Sequence, residues 1–501
     1  MSKKRKSKKP APPQKNTKNT SGNALSEKSE AAEINNVPEN SLPEIPENNE
    51  KIPEDNPEKN ISETTEKDSS GNESHTYPEL IKGFVKWFII AVIVGAVVGV
   101  GGAAFQIALG FANDFRTGHN AIILAMPAAG LIIVFLYSVM GLSKDPGTNN
   151  IIKGARSEEP VSIKLAPLIF AATFLTHITG GSAGREGAAL QIGGSIASPF
   201  KKLFKLDEND ASTLIMCGMA AGFSALFGTP VAAAVFAVEV TIVAAAQYSA
   251  LVPCMVSGIS AVCVAKLFGV EAESFVVRGI PALNESSVPD LLRVTILGAA
   301  CAAISVLFCF AMHNTGKLYK KYIKNDYIRA VAGGAIVAVL TLILRTTDYN
   351  GAGMNVIERA FSGTASPAAF ILKILFTALT LGAGFKGGEI VPSFFAGATF
   401  GCVFGGLLGL DPSFGAAVGL LAVFCGVTNC PFTSIILSIE LFGSGGMAYF
   451  ALAITISYML SGYWGLYSAQ KFHQSKLRPV LYKKNEEKTS AGALKSNPEG
   501  K

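Results

Sequence analysis

Apolar runs recur along the chain from Phe84 to Leu466, separated by short polar or glycine-rich breaks. A first set comprises Phe84–Gly101, Ala121–Met140, Leu165–Ile178, Leu214–Phe227, Val231–Ala245 and Leu251–Phe268. After the polar stretch Glu271–Pro289 a second set follows: Leu291–Met312, Ala330–Leu344, Ala368–Leu381, Phe394–Leu410, Gly415–Phe424, Phe432–Leu441 and Ala448–Leu466. A straight helical crossing of a bilayer needs about 20 apolar residues. Several runs are shorter and end in glycine. The pattern therefore predicts helices that stop inside the membrane around a cavity, the setting in which broken backbone is tolerated at depth. The fold class that follows is an all-α polytopic membrane protein.

The polar ends set the domain plan. Residues 1–78 are rich in Lys, Glu, Asn, Ser and Pro and almost free of large apolar side chains. Such a segment buries too little surface to offset its ordering entropy, which predicts a disordered polar tail. The plan is then a tail over 1–78, a first transmembrane repeat over 79–270, a polar connector over 271–289, a second repeat over 290–478 and a short tail over 479–501. Basic clusters lie at Lys3-Lys4-Arg5-Lys6, Lys8-Lys9 and Lys483-Lys484, and the net charge is +6. By the positive-inside rule both ends are cytoplasmic, with the body in the plasma membrane. No apolar signal segment follows the N-terminus. No aromatics interleave with the basic run, which argues against nucleic acid as a partner. All eight cysteines lie within or beside apolar runs, without metal-type spacing, and read as small buried hydrophobes. Nothing calls for a metal or a cofactor.

The two sets echo each other. Gly218, Ala221, Phe223, Pro230 and Glu239 recur at identical spacing as Gly419, Ala422, Phe424, Pro431 and Glu440. Upstream of each lies a charged glycine break, Gly184-Arg-Glu-Gly187 in the first set and Lys386-Gly-Gly-Glu389 in the second. This points to a duplicated unit, the way many transporters build a site at mid-membrane. Glu239 and Glu440, at matched helix ends, read as caps or braces.

The candidate chemistry sits in Thr179–Gly193, where Arg185 and Glu186 stand side by side among glycines between two apolar runs. Ionisable groups at such depth mark ion or proton pathways. A helix beginning near Glu186 would aim its unpaired N–H groups at an anion. Glu186 is thus expected to be a gating and proton-carrying residue, the alternative being a structural pair with Arg185. Gly147-Thr-Asn-Asn-Ile-Ile152 reads equally as a surface turn or as an anion contact through the Thr148 hydroxyl and the Asn149 and Asn150 amides. Gly388-Glu-Ile-Val-Pro392 opens a second broken helix facing the same anion. Gly180-Gly-Ser-Ala-Gly184 with His177 also fits a serine-hydrolase elbow at Ser182. That motif needs a strand-to-helix turn, and its flanks here are helical runs, so an enzyme is not expected.

Over about Ile81 to Leu477, Gly184-Arg-Glu-Gly187, Gly388-Glu-Ile-Val-Pro392 and the paired Gly…Pro…Glu segments resemble the CLC family of chloride channels and proton-coupled anion antiporters. The resemblance implies an inverted repeat of tilted, broken helices and a homodimer with one pore per subunit. It implies that Glu186 is the external gate and that Gly147, Thr148, Asn149, Asn150, Arg185, Gly187, Ile390, Val391 and Tyr467 form the anion path. Ile390 and Val391 would act through backbone N–H groups and Tyr467 as the anion-contacting tyrosine.

The chain departs from the family pattern at three places. Gly147-Thr-Asn-Asn-Ile-Ile152 replaces the usual Gly-Ser-Gly-Ile-Pro loop, Ala188 replaces a proline, and Val240 takes the place of the inner proton-transfer glutamate. These changes, with Lys386-Gly-Gly-Glu389, resemble the bacterial fluoride-selective branch, although Val391 stands where that branch often has threonine. A small, strongly hydrated anion needs close donors to replace its water. The expected function is fluoride export in exchange for protons. A passive chloride or broad-anion channel on the same fold is the alternative, and a membrane serine hydrolase a remote one.

Overall fold

A computed structural model describes residues 77–284 and 287–477 and the backbone of Lys488–Thr489, all within one compact unit, His75–Lys501. The tail expected over 1–78 lies outside the described residues up to 76, and Tyr77 and Pro78 already belong to the first helix. The tail expected over 479–501 likewise lies outside them, apart from Lys488–Thr489.

In the first half the helices are α1 (Tyr77–Gly118), α2 (Met126–Val139), α3 (Thr148–Gly154), α4 (Leu165–Ile178), α5 (Glu186–Ala197), α6 (Phe200–Leu203), α7 (Glu208–Phe227), α8 (Pro230–Glu239) and α9 (Leu251–Leu267). After the connector come α10 (Val288–Tyr322), α11 (Asp326–Leu344), α12 (Met354–Phe361), α13 (Ala369–Gly382), α14 (Ile390–Leu407), α15 (Pro412–Thr428), α16 (Pro431–Phe442) and α17 (Met447–Leu460). Among the described residues seven helical segments are long and apolar enough to cross a membrane; α4, α8, α13, α15, α16 and α17 are apolar but shorter. The predicted runs thus become helices, several of them broken.

α1 is longer than its apolar core suggested. Its 42 residues span roughly 63 Å at ~1.5 Å per residue, about twice a hydrocarbon core, so a helix of this length crosses with a tilt. Polar side chains fix several starts: Asp207 accepts from the Asp210 N–H, Asn325 from those of Tyr327 and Ile328, and Asp411 from that of Ser413. Proline opens α8, α15 and α16, where its missing N–H costs nothing. The only regular strands among the described residues are two-residue pieces. Ile242–Val243 pairs in parallel with Lys471–Phe472, which pairs antiparallel with Lys488–Thr489.

Two features join the halves. First, the matched phenylalanines meet in one aromatic chain. Phe223 lies 5.3 Å from Phe236, Phe236 6.2 Å from Phe424, and Phe424 5.2 Å from Phe394. Second, each matched glutamate caps a helix of the opposite half. Glu239 accepts from the Phe432 and Thr433 N–H groups and from the Thr433 hydroxyl at the start of α16. Glu440 accepts from the Val231 and Ala232 N–H groups at the start of α8. The expected capping role is what the structure has, with the caps exchanged between halves. Truncating Glu239 to Ala leaves buried N–H groups unpaired and is expected to cost about 2–3 kcal/mol. Glu440→Ala, with fewer bonds, should cost less. Thermal unfolding of the purified variants reads the difference, and equal stability of Glu239→Ala and wild type would contradict the assignment.

Candidate functional site

The two glycine breaks meet. Gly184 and Gly388 exchange both backbone hydrogen bonds, each 2.7 Å, as an isolated antiparallel bridge. Side chains would obstruct this approach. A Cβ on Gly184 would sit 2.9 Å from the Pro392 ring, and one on Gly388 2.7 Å from the Gly187 nitrogen. Immediately after the bridge α5 begins at Glu186 and α14 at Ile390. The first N–H groups of such helices have no partner within the helix and carry partial positive charge.

Glu186 has no exposed surface. One carboxylate oxygen, Oε2, accepts from the Arg185 N–H at 3.1 Å and from the Val391 N–H at 3.2 Å. Its carboxylate therefore lies on the start of α14, where a free anion would be held by the same donors. The other oxygen, Oε1, is buried without a hydrogen bond and lies 3.8 Å from the Arg185 Nε. The Arg185 guanidinium is otherwise turned to Gln106 at 2.8 Å and to Glu273.

The remaining residues read from the sequence divide into two groups. Thr148 joins the site: its hydroxyl lies 3.5 Å from the Gly187 carbonyl and 3.3 Å from the Gln191 amide, which also donates to Gly187 at 3.1 Å. Gly147, at φ 69°, begins α3 beside Gln191. Ile390 and Val391 are fully buried at the start of α14. Tyr467 is buried close enough to Glu389 and Glu186 to feel their charges.

The Asn149 and Asn150 side chains are engaged elsewhere. The Asn149 amide oxygen accepts from the Ala469 N–H at 2.8 Å, and Asn150 donates to Asp145 at 3.1 Å. Arg156, just past α3, reinforces the first tie by donating to the carbonyls of Thr241 and Ala469. It also hydrogen-bonds Glu158, whose carboxyl it holds below its usual range. The loop read as a turn or an anion contact is thus in part a clamp on the segment that carries Tyr467.

Ser182 and His177 form no nucleophile–base pair. The Ser182 hydroxyl bonds Thr377 at 2.9 Å and His177 faces the Gly184 carbonyl at 3.2 Å. Val240, at the end of α8, is buried, and its carbonyl accepts from Gln470.

Two charged residues escaped the reading of the sequence, and a third, Glu389, was read only as part of the charged glycine break. Glu389 takes the cap position before α14. Lys373 is fully buried in α13, and Arg116 is buried near the end of α1. A lone lysine inside the run Ala368–Leu381 was the visible signal for Lys373. Arg116 lies beyond the apolar run of α1 and gave none.

The fold and site can be set against known proteins. The family profile described as voltage gated chloride channel matches residues 130–462. A chloride/fluoride channel protein of Pseudomonas syringae pv. tomato is 34% identical over 405 residues, covering 79% of this chain and 89% of its own. An H(+)/Cl(-) exchange transporter ClcA of Vibrio parahaemolyticus is 26% identical, over 70% of this chain and 81% of its own. The crystal structure of a CLC-type fluoride/proton antiporter superposes with a TM-score of 0.75 at 31% identity, over 80% of this chain and all of that one. A slow cyanobacterial Cl-/H+ antiporter shares the fold, with a TM-score of 0.66 at 20% identity. The profile spans most of the chain, and a relative at 34% identity and a solved structure at 31% identity are covered over most of their lengths, so this protein belongs to the CLC family of membrane anion transporters.

Proposed function

We propose that the protein exports fluoride in exchange for protons, with Glu186 as both gate and proton carrier, as a homodimer in the plasma membrane with both chain ends cytoplasmic. The carrying observation is the seat of Glu186. One oxygen takes the N–H of Val391 at the start of α14, where an anion would take it, and the other is buried with no donor. An oxygen without a hydrogen bond is where a proton adds without breaking one. Protonation removes the charge that holds the side chain on the helix start and leaves those donors to the anion.

In this reading Ile390 and Val391 offer backbone N–H groups, with Gly187 beside them, the Thr148 hydroxyl stands at the α3 side and Tyr467 closes the inner side. Gly147 allows the turn into α3. Asn149 and Asn150 hold that loop and the Tyr467 segment in register, and Arg185 sets the carboxylate from behind. Close hydroxyl and amide donors suit a small, strongly hydrated anion. The fluoride-handling relatives support the choice of ion.

A passive anion channel is the second reading. It is favoured by Val240, which puts an aliphatic side chain where the proton path of the chloride exchangers is expected to have a carboxylate. Purified protein in liposomes loaded with fluoride or chloride separates the two, with anion efflux and internal pH recorded together. Fluoride leaving faster than chloride while protons enter against their gradient is the expected result. Chloride leaving equally well with no linked proton movement would favour the channel.

A further inference from the structure

A cavity of about 250 Å³ opens beside the end of α1. Arg116, His177, Arg185, Gly353, Met354 and Asn355 are among its walls. Its charge is unbalanced. Arg185 has Glu273 and Glu186 within ion-pair distance. Arg116 is 9% exposed and, among the described residues, has no carboxylate partner; it donates to the neutral Asn113 at 2.6 Å, and its Nε is buried without a partner.

Behind the same wall lies Lys373, with no exposed surface; it donates to the carbonyls of Gly351 at 2.7 Å and Tyr349 at 3.3 Å and lies 5.1 Å from the centre of the Phe395 ring. A buried guanidinium without a carboxylate is costly unless something negative comes to it.

The wall opposite supplies further donors. α12 begins at Met354 after Gly353, without a side-chain cap or an acidic residue in its first turn, and Met354 and Asn355 face the cavity. Its first N–H groups have no partner within the helix. The loop before α12 is fixed in place. Gly351 exchanges backbone bonds with Gly181 and Ala183, and the Asn350 amide donates to Gly180 at 2.7 Å. The donors are thus held at a set distance from the glycine break that carries Glu186.

We propose that this cavity is an outer holding site for a small inorganic monovalent anion, gripped by Arg116, Arg185 and the start of α12, one step away from the Glu186 seat. The proposal rests on the anion-transport reading above and extends it. The anion waits against fixed positive charge, which raises its local concentration beside the gate and balances Arg116.

The test compares wild type, Arg116→Gln, Arg116→Lys and Asn355→Asp as full chains in liposomes, with fluoride efflux measured against fluoride concentration and internal pH recorded. Arg116→Gln should raise the half-saturating concentration by about threefold to tenfold, with a smaller fall in the limiting rate. Arg116→Lys should recover part of the shift. Asn355→Asp puts negative charge into the cavity while keeping the arginine, and should shift the same way, which covers the case in which loss of Arg116 prevents folding. An unchanged half-saturating concentration in both Arg116→Gln and Asn355→Asp would overturn the holding site and leave the antiport reading intact. Wild-type fluoride flux without proton movement would overturn the antiport reading while the concentration shift still judged the cavity. A wild type that carries neither fluoride nor chloride would overturn both.

Discussion

Glu186→Gln is expected to bring proton movement in liposomes down to the level of protein-free vesicles. The substitution keeps the shape of the side chain and an oxygen that can still accept the Val391 N–H, but without the negative charge that holds it on the start of α14. What it removes is the site of proton addition, the buried Oε1 that has no hydrogen bond. Glu389 and Tyr467 are unaltered in the variant. A loss of proton flux therefore reads Glu186 and not a general collapse of titratable groups in the pore. Anion flux in the variant should persist without its proton dependence, or fall if the amide blocks the path. Coupled proton flux that survived in a folded Glu186→Gln protein would sink the mechanism. Recording fluoride efflux and internal pH in the same vesicles gives the answer in one experiment.

The second large effect is on folding. α5 packs on α7, and α14 on α15, through glycines that bring backbone against backbone. A Cβ on Gly218 would fall inside the contact radius of the Gly193 carbonyl oxygen, and one on Gly419 inside that of Gly397. These are the matched glycines of the two repeats. No flexible side-chain end lies in the way, so the helices themselves must separate. Gly419→Val is expected to cost about 3 kcal/mol or more, at the upper end of overpacking penalties. Its yield of monodisperse protein after detergent extraction should fall severely, and Gly218→Val should behave alike. Gly83→Ala, a helical glycine with open space around the added carbon, is the control and should be tolerated. Normal yield and thermal stability for Gly419→Val would mean that the seam is not close-packed. The seam also matters to the site, because it fixes where α5 and α14 lie and hence where their N-termini point.

The sequence carried the architecture further than it carried the chemistry. Apolar runs and their breaks located α4 to the residue and α5 at its first residue, because in a bilayer the backbone must bond internally and its interruptions are therefore visible as glycine and charge. The matched Glu positions pointed to caps, but neither the exchange of those caps between the halves nor the aromatic chain was visible in the pattern, because both depend on how the halves pack. The ends of α1 and α10 were less legible. Both helices run on well past their apolar cores into residues whose helicity comes from neighbours and not from composition.

Within the site, Glu186 was legible from its setting alone, an acid among glycines at mid-membrane. Asn149 and Asn150 were not, because an amide that clamps a backbone and an amide that faces an ion have the same sequence signature. Arg116 was hidden for a different reason. Its meaning lies in the absence of a carboxylate across the fold, and no single stretch of chain records that.

The Gly184–Gly388 bridge has a consequence for how the machine can move. Rocking one half of the molecule against the other would have to tear this pair of 2.7 Å bonds at the very centre of the pathway. It would also strip both exchanged glutamate caps, which bind each half to a helix start in the other. Swinging the Glu186 side chain costs only its bonds to Arg185 and Val391. Access can therefore alternate while the scaffold stays riveted. On the proposed role of Glu186, turnover is set by the rotation of that one side chain, and thermal stability and speed can be altered separately.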